Sequence, residues 1–346
     1  MIEKNKKTEY ALIDVARLFF CICIVFLHSG AYHMAPGEWY VLHCLLRLAV
    51  PFFFVVSGYF WGRGLHCGHA DLRERLIHYI NRLLYPYVVF SMINIVLAVL
   101  EMVLNGVDGR KIVFRVLRSI LFYPYGALWY VWASMIAVIL LSWFIKREKL
   151  KLGILLGIIL YCLALLMNSY YFLTEGTKIQ RIVDIYLKIT TSARNGIFVG
   201  FIFMAIGVSL ARADEMQKER GMGLYWLLLT ASFIGLLAEV TYIRRKNTAD
   251  DHSLFLSFLV LIPSLVKILL NYEISIKRER AVLCRNLSVG IYYLHRIILS
   301  IIIIVAMIFG VPVNRPINFV ITLVICVALC MTTYKTKREP FFTLLK

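Results

Sequence analysis

The first long apolar segment of the chain contains three ionisable side chains, Asp14, Arg17 and His28. Arg17 and His28 are eleven residues apart, about three turns of an α-helix, so both project from nearly one face. They would lie roughly 16 Å apart along the helix axis. Asp14 precedes Arg17 by one turn and can pair with it. The spacing predicts a guanidinium near one end of a membrane-spanning helix and an imidazole nearer the other.

This arrangement has two interpretations. Ionisable groups inside a membrane span are costly and therefore mark functional sites by default. One helix face would then receive a cofactor from inside the cell at Arg17 and a nucleophile from outside at His28. Alternatively, Asp14 and Arg17 form an ion pair at the membrane interface and His28 meets lipid headgroups at the helix end. The residues alone leave both interpretations open.

Two residues of the second apolar segment are further candidates. Ser57 belongs to a Ser-Gly pair six residues after Pro51, which predicts either a polar site or a kinked helix that packs closely on a neighbour. Arg47 lies one turn before Pro51, where it could face a polar acceptor. On physical grounds alone, close packing is the better explanation of Ser57.

Three more polar or aromatic side chains lie in or beside apolar segments. Glu239 either lines a substrate path or reaches the interface from a helix end. His295, which precedes Arg296, is either a functional imidazole or a hydrogen-bonded core histidine. Trp129 either contributes to a site or belongs to an aromatic belt at the membrane interface.

Composition places these residues in a membrane protein. The chain has 346 residues, of which 61% are hydrophobic and 17% charged, with a mean hydropathy of +0.77. The net charge of +18 comes from clusters between apolar runs, which indicates topogenic charge and contact with lipid rather than with nucleic acid. No phosphate-binding glycine loop, HExxH helix or GxSxG elbow occurs, which argues against an ATP-driven pump and a zinc protease. No metal site is expected.

The apolar runs predict an all-α bundle of about ten transmembrane helices, because a span needs roughly 20 apolar residues. The predicted spans are Ala11–Tyr32, Tyr40–Trp61, Leu83–Leu104, Leu128–Ile145, Leu152–Tyr170, Asn195–Ala211, Gly223–Ile243, Leu254–Leu270, Leu287–Phe309 and Ile317–Thr333. Pro51 and Pro263 interrupt the second and the eighth, and prolines inside spans usually mark kinks near cavities.

Basic residues predict the orientation of the bundle. The side that holds both termini carries 22 Lys and Arg residues and the opposite side carries 12, so both termini are expected in the cytoplasm. The basic stretch 110–118 on the outer side weakens this bias, and an amphipathic helix lying on the membrane would explain it. We expect one domain over residues 1–346 with no appended soluble domain, in a bacterial plasma membrane.

Several motifs together resemble the membrane acyltransferase family 3. Arg17 and His28 are separated by ten residues and are followed by Pro-Phe-Phe-Phe-Val-Val-Ser-Gly-Tyr-Phe at 51–60. Leu-Trp-Tyr at 128–130 and Ile-Tyr-Tyr-Leu-His at 291–295 are similar to later motifs of that family. Arg-Asn-Gly-Ile-Phe-Val-Gly at 194–200 resembles the membrane half of vancomycin-resistance serine racemases, from the same superfamily. Many members have a histidine before Leu-Trp, where this chain has Ala127.

The resemblance implies an enzyme that moves an acyl group, usually acetyl, from cytoplasmic acyl-coenzyme A to a hydroxyl group outside. The acceptor would be a glycan such as a polysaccharide, peptidoglycan or another cell-envelope molecule. Arg17 would then hold anionic groups of the coenzyme, with Arg73 and Arg75 available at the same mouth. His28 would be the catalytic histidine.

Such chemistry needs a base for the hydroxyl group and hydrogen-bond donors for the thioester oxygen. Histidine titrates in the required range, and Tyr292, Trp129 or amides near Pro51 could be the donors. The transfer would require a hollow that joins Arg17 and His28. Two other classes remain open from the sequence: a serine-uptake-like transporter whose path contains Arg17, Glu239 and His295, and a membrane scaffold or sensor.

Overall fold

The computed structural model describes residues 10–31, 38–66, 71–215, 221–246, 252–272 and 274–336, and within them the chain forms helices and no β-strand. The predicted all-α class is therefore confirmed. Tyr32, the end of the first predicted span, and most residues of both termini lie outside the described ranges. The α-helices are α1 Ala11–Ser29, α2 Glu38–Leu46, α3 Ala49–His66, α4 Leu72–Leu104, α5 Gly109–Leu121, α6 Trp129–Lys146, α7 Leu150–Leu166, α8 Lys178–Thr190, α9 Phe201–Glu215, α10 Met222–Lys246, α11 Phe258–Asn271, α12 Arg278–Phe309 and α13 Arg315–Thr336.

All ten predicted spans coincide with apolar helices. Eight are long and apolar enough to cross a membrane, and α7 and α11 are shorter. The ends differ from the prediction mainly at α4 and α12, which begin 11 and 9 residues before the predicted Leu83 and Leu287. Those extra turns are rich in charged residues, so apolar runs alone could not reveal them. We call the ends of the bundle inner and outer according to the predicted orientation.

The second span is broken just before its proline. Helix α2 ends at Leu46, and α3 begins at Ala49 after a turn at Arg47 and Leu48. Pro51 therefore lies in the first turn of α3, where its missing N–H would have no partner within the helix anyway. The predicted interruption is present, and the turn places Arg47 at the outer end of the bundle.

The eighth span begins later than predicted. Leu254 and Phe255 are buried but not helical, and α11 starts at Phe258. The amide of Leu254 donates to Asn168 Oδ1 at 3.0 Å, and the amide of Leu256 donates to Glu239 Oε1. These side chains satisfy backbone groups that a continuous helix would have satisfied itself, which is what non-helical backbone at this depth requires.

Helices α3 and α9 pack closely enough for their backbones to touch. A side chain at Gly58 would overlap the carbonyl oxygen of Met204, and one at Gly207 would overlap the carbonyl oxygen of Val55. The close approach predicted from the Ser-Gly pair is therefore confirmed. This contact fixes α3, which carries Ser57, in the centre of the bundle.

Two amphipathic helices lie in connections at the outer end. Helix α5 covers the basic stretch 110–118 and leaves its apolar side chains exposed: Val113, Phe114, Leu117, Ile120 and Leu121. Helix α8 likewise exposes Ile179, Ile182, Ile185 and Ile189. A helix with one exposed apolar face and basic residues is typical of the membrane interface. The amphipathic helix expected at 110–118 is confirmed, whereas α8 was not foreseen.

Candidate functional site

The inner end of α1 carries the predicted ion pair. Arg17 Nη1 donates to Asp14 Oδ1 at 2.9 Å, and the side chain of Asp14 is 11% exposed. Arg285, at the start of α12, approaches the other carboxylate oxygen of Asp14 at 3.8 Å. The guanidinium of Arg17 also lies 5.0 Å from the centre of the Phe60 ring. Arg17 is therefore held between a carboxylate and an aromatic face, not extended into lipid.

Tyr130, at the start of α6, stands between the inner pair and the outer end. Its hydroxyl lies 2.8 Å from Ser57 Oγ and donates to the carbonyl oxygen of Phe53 at 3.3 Å. Arg17 is a charged neighbour of the same hydroxyl. On the other side, the rings of Tyr130 and Tyr292 meet edge to face with centroids 5.9 Å apart. Ser57 thus has a polar partner in addition to its place in a closely packed helix.

His28 and His295 form a stacked pair at the outer end of α1. Their ring centroids are 5.4 Å apart with an interplanar angle of 26°, and the Tyr292 ring lies 6.2 Å from His295. His295 is fully buried, and its Nδ1 lies 3.0 Å from the carbonyl oxygen of Ile291. A carbonyl oxygen can only accept, so Nδ1 carries a proton and the neutral ring has its lone pair on Nε2. Within the described residues, this buried Nε2 has no hydrogen-bond partner.

Three guanidinium groups lie near the imidazole pair. Arg47, Arg194 and Arg296 are the charged neighbours of His28, together with His295. Arg47 Nη2 lies 3.0 Å from His43 Nε2. This positive potential can stabilise negative charge that develops during a reaction at His28.

Arg194 is positioned by an irregular turn at the start of the sixth span. Asn195 Oδ1 accepts hydrogen bonds from two following amides at 2.9 and 3.0 Å, and a π-helical turn at Gly196–Gly200 leads into α9. A side chain at Gly196 would collide with the backbone of α6. The guanidinium of Arg194 lies 5.8 Å from the centres of both the Tyr123 and the Trp129 rings. Single π-turns of this kind often occur at functional sites.

A polar cavity of about 500 Å³ opens at the outer end beside Arg296. Its lining includes Glu101 of α4, Arg115 and Arg118 of α5, Tyr125, and Arg296 of α12. Burial raises the pKa of Tyr125, while the neighbouring Arg115 and Arg118 act in the opposite direction. Tyr125 therefore keeps its proton at neutral pH and can donate a hydrogen bond into the cavity.

Some of the predicted site residues lie away from both the imidazole pair and the outer cavity. Arg73 is exposed on α4, and Arg75 packs against Gly64 at the inner end of α3. Neither Arg17 nor His28 lines the outer cavity, so the described cavity does not extend through the bundle. Arg296 lies in both the cavity wall and the surroundings of His28.

Glu239 belongs to a different part of the molecule. Its carboxylate accepts hydrogen bonds from Tyr170 Oη, the amides of Leu256 and Ser257, and the Ser257 hydroxyl, at 2.5–3.0 Å. Four donors fill the acceptor capacity of one carboxylate. Glu239 therefore holds the non-helical entry to α11 through hydrogen bonds to protein donors.

Sequence reasoning missed several residues of this site. Tyr130 was visible only as part of an aromatic motif, although it links Ser57 with Tyr292. Asn94, Glu101, Arg115 and Arg118 line the cavity, yet none of them stood out in the sequence. The basic stretch 110–118 on the outer side is the signal that could identify the two arginines, but it is equally explained by an amphipathic helix on the membrane.

The part of the chain that contains this site matches a known protein family. A family model described as an acyltransferase domain, acyltransferase 3, matches residues 10–335. The chain belongs to this acyltransferase family. The match covers α1 to α13 and all the predicted site residues, so the resemblance inferred from the short motifs is confirmed.

The curated relatives of this chain are named as racemases, not as acyltransferases. It is 26% identical over 267 residues to a serine/alanine racemase of Enterococcus gallinarum, covering 75% of this chain and 37% of the relative. It is 24% identical over 299 residues to an amino-acid racemase of Enterococcus faecalis, covering 84% of this chain and 41% of the relative. The chain thus spans about two fifths of the length of these relatives. No solved structure matches it significantly.

Proposed function

We propose that the chain is a membrane O-acyltransferase that moves an acyl group, most simply acetyl, from cytoplasmic acyl-coenzyme A to a hydroxyl group on the outer side. The acceptor is a glycan or another molecule of the cell envelope, and the protein works in the plasma membrane. The observation that carries this proposal is the position of His28. It is half-buried, stacks on the fully buried His295, and has Arg47, Arg194 and Arg296 as charged neighbours.

In this reaction the imidazole of His28 acts as the general base. The acceptor hydroxyl oxygen attacks the thioester carbonyl carbon while His28 takes the hydroxyl proton. A C–O bond forms, the C–S bond breaks, and the imidazolium returns the proton to the leaving thiolate. The products are the ester and free coenzyme A. The negative charge on the attacked carbonyl oxygen is stabilised by the positive potential of Arg296 and Arg194.

Arg17 provides a binding site for acyl-coenzyme A at the inner end of the bundle. Its bond to Asp14 and its contact with Phe60 fix the direction of the guanidinium. A fixed guanidinium binds phosphate oxygens well because its donors form a planar fork. The coenzyme would bind there with its phosphates, and its thioester arm would extend along the Tyr130 and Tyr292 rings towards His28. This path requires the side chains between Arg17 and His28 to separate when the donor binds.

The decisive experiment follows label from donor to acceptor. Membranes that contain the protein are incubated with acetyl-coenzyme A labelled in the acetyl group, and the surface glycans are analysed by mass spectrometry. We expect label in ester linkage on an outer hydroxyl group, and no such label in membranes with His28→Ala. Equal ester label with and without the protein would refute the enzymatic proposal.

A transporter is the second candidate, and the names of the relatives favour it. Their matched regions lie in proteins described as serine/alanine and amino-acid racemases, for which an amino acid must be supplied. The outer cavity contains both Glu101 and arginines, which could bind the ammonium and carboxylate groups of an amino acid. Uptake of labelled serine into proteoliposomes without any transfer of acetyl label would support this candidate over the acyltransferase.

A further inference from the structure

The outer cavity has more positive than negative charge. Three guanidinium groups, those of Arg115, Arg118 and Arg296, share it with one carboxylate, that of Glu101. Within the described ranges, none of these three arginines forms a salt bridge, although Glu101 is a charged neighbour of Arg296. Arg296 Nε is fully enclosed and has no hydrogen-bond partner among the described residues. A cation held this way is costly unless an anion completes its surroundings.

The cavity also offers neutral hydrogen-bonding groups for the rest of a ligand. Asn94, Asn105, Tyr125 and Ser300 contribute to its lining. The amide nitrogen of Asn94 donates to the carbonyl oxygen of Phe90 at 2.7 Å, which orients its side chain on α4. Amide and hydroxyl groups of this kind suit the hydroxyls of a sugar or a polyol. The cavity thus combines a cationic part with a neutral polar part.

Helix α5 places the cationic part at the level of lipid headgroups. Its apolar side chains, among them Val113, Leu117 and Ile120, are exposed, which is typical of a helix that lies on the membrane with that face in lipid. Arg115 and Arg118 are on the same short helix and line the cavity. A phosphate group at headgroup depth can therefore reach both arginines, while the molecule that carries it remains anchored in the outer leaflet.

From these observations we propose that the outer cavity binds the acceptor through a phosphate group, with Arg115, Arg118 and Arg296 as its ligands. Phosphate fits this set because guanidinium groups bind its oxygens in pairs and because the net charge of the four ionised side chains is positive. This inference rests on the proposed acyltransferase function and names the chemical class of its acceptor. The phosphate belongs to a membrane-anchored molecule, because α5 places the arginines at the lipid surface.

Binding without any acyl donor tests the site independently of the reaction. The full chain, purified in detergent, is titrated with dihexanoyl phosphatidylglycerol, with glycerol 3-phosphate, and with an uncharged glycolipid of the same chain length. Intrinsic fluorescence reports affinity and thermal unfolding. We expect the phosphatidylglycerol to bind and to raise the unfolding temperature, and the uncharged glycolipid to do neither. Binding of glycerol 3-phosphate with equal affinity would support the phosphate site but overturn the membrane-anchored source.

Matched variants locate the binding. Arg296→Gln should weaken phosphatidylglycerol binding about tenfold or more, the effect expected for a charge-assisted hydrogen bond. The double variant R115Q/R118Q should do the same, and it tests the site even if Arg296→Gln does not fold. Arg181→Gln is the control, because Arg181 is exposed on the other amphipathic helix, α8, outside the cavity. Equal affinity of all variants would overturn the proposal, as would equal binding of the uncharged glycolipid.

The two proposals can fail separately. If phosphatidylglycerol binds as expected but no acetyl label reaches any acceptor, the phosphate site stands and the acyltransferase proposal falls. If acetyl label reaches an uncharged glycan and no phosphate probe binds, the enzyme stands and the acceptor class is wrong.

Discussion

The cationic side chains at the inner and outer ends of the bundle have different partners. At the inner end, Asp14 pairs with Arg17, and Asp214 pairs with the buried Lys267 and also accepts a hydrogen bond from Tyr59 at 2.9 Å. At the outer end, Arg194 lies over the Trp129 ring and donates from Nε to Ser192 Oγ at 3.2 Å, and Arg47 lies against the imidazole of His43. A paired cation holds its place at all times. Arg115 and Arg118 of the outer cavity form no salt bridge among the described residues, so they can still bind an anionic ligand.

This difference predicts that the ion pairs at the inner end contribute mainly to stability, whereas the arginines at the outer end contribute mainly to function. The inner carboxylates make the packing of α1, α9, α11 and α12 depend on charge pairing. The outer arginines carry positive potential into the region where His28 and His295 meet. Substitutions at the inner pairs should therefore reduce stability or donor binding, and substitutions at the outer end should reduce activity or acceptor binding.

The largest effect is expected for His28→Ala. Loss of a general base lowers a transfer rate by about 100- to 10,000-fold, so label transfer from acetyl-coenzyme A should be almost abolished while the amount of folded protein is unchanged. His78→Ala is the control, because His78 is exposed at the start of α4. Full activity of His28→Ala would remove His28 from the reaction and leave the outer end without its assigned base.

The next largest effect concerns the second inner pair. Lys267→Met leaves Asp214 without its cation, and we expect a loss of about 3 kcal/mol in the free energy of unfolding. The double variant K267M/D214L should recover part of that loss, because the uncompensated charge is then gone. Chemical unfolding in detergent measures both, with R118Q as the outer counterpart that changes stability by less than about 0.5 kcal/mol. Similar losses for Lys267→Met and R118Q would remove the distinction between the two ends.

A smaller effect is expected for Arg17→Ala. Affinity for acetyl-coenzyme A should fall at least about tenfold, or about 1.4 kcal/mol, because a charge-assisted contact with the coenzyme is lost. The measurement is equilibrium binding to the purified protein. Arg147→Ala is the control, since Arg147 follows α6 at the inner end and stacks on Trp143. Unchanged affinity of Arg17→Ala would leave Arg17 as a purely structural partner of Asp14.

The smallest effect is expected for Ser57→Ala, which removes one hydrogen bond between the two ends. The Tyr130 hydroxyl keeps its bond to Phe53, so the loss in stability should be about 1 kcal/mol. Tyr130→Phe and the double variant complete a thermodynamic cycle, with Ser142→Ala as the control for a serine that bonds only within its own helix. A coupling energy near zero would mean that Ser57 and Tyr130 are neighbours without a stabilising bond.

Apolar runs predicted most of this fold because membrane spans are dictated by local composition. A run of about 20 apolar residues has few alternatives to a helix in lipid. The prediction failed at Leu254, where apolar residues are buried without being helical. There the backbone is satisfied by Asn168, which is 86 residues from Leu254, and by Glu239, which is 17 residues from Leu256. No local pattern can report such a partner.

The sequence by itself determined the helical membrane class, the pairing of Asp14 with Arg17, and the common face of Arg17 and His28, because each follows from spacing within one helix. Only the tertiary structure decided that His28 stacks on His295, that Tyr130 joins Ser57 to Tyr292, and that arginines from α5 and α12 share one cavity. These contacts join residues far apart in the chain, and they depend on how the helices pack. Packing is set by shape and polar complementarity between helices, which composition does not contain.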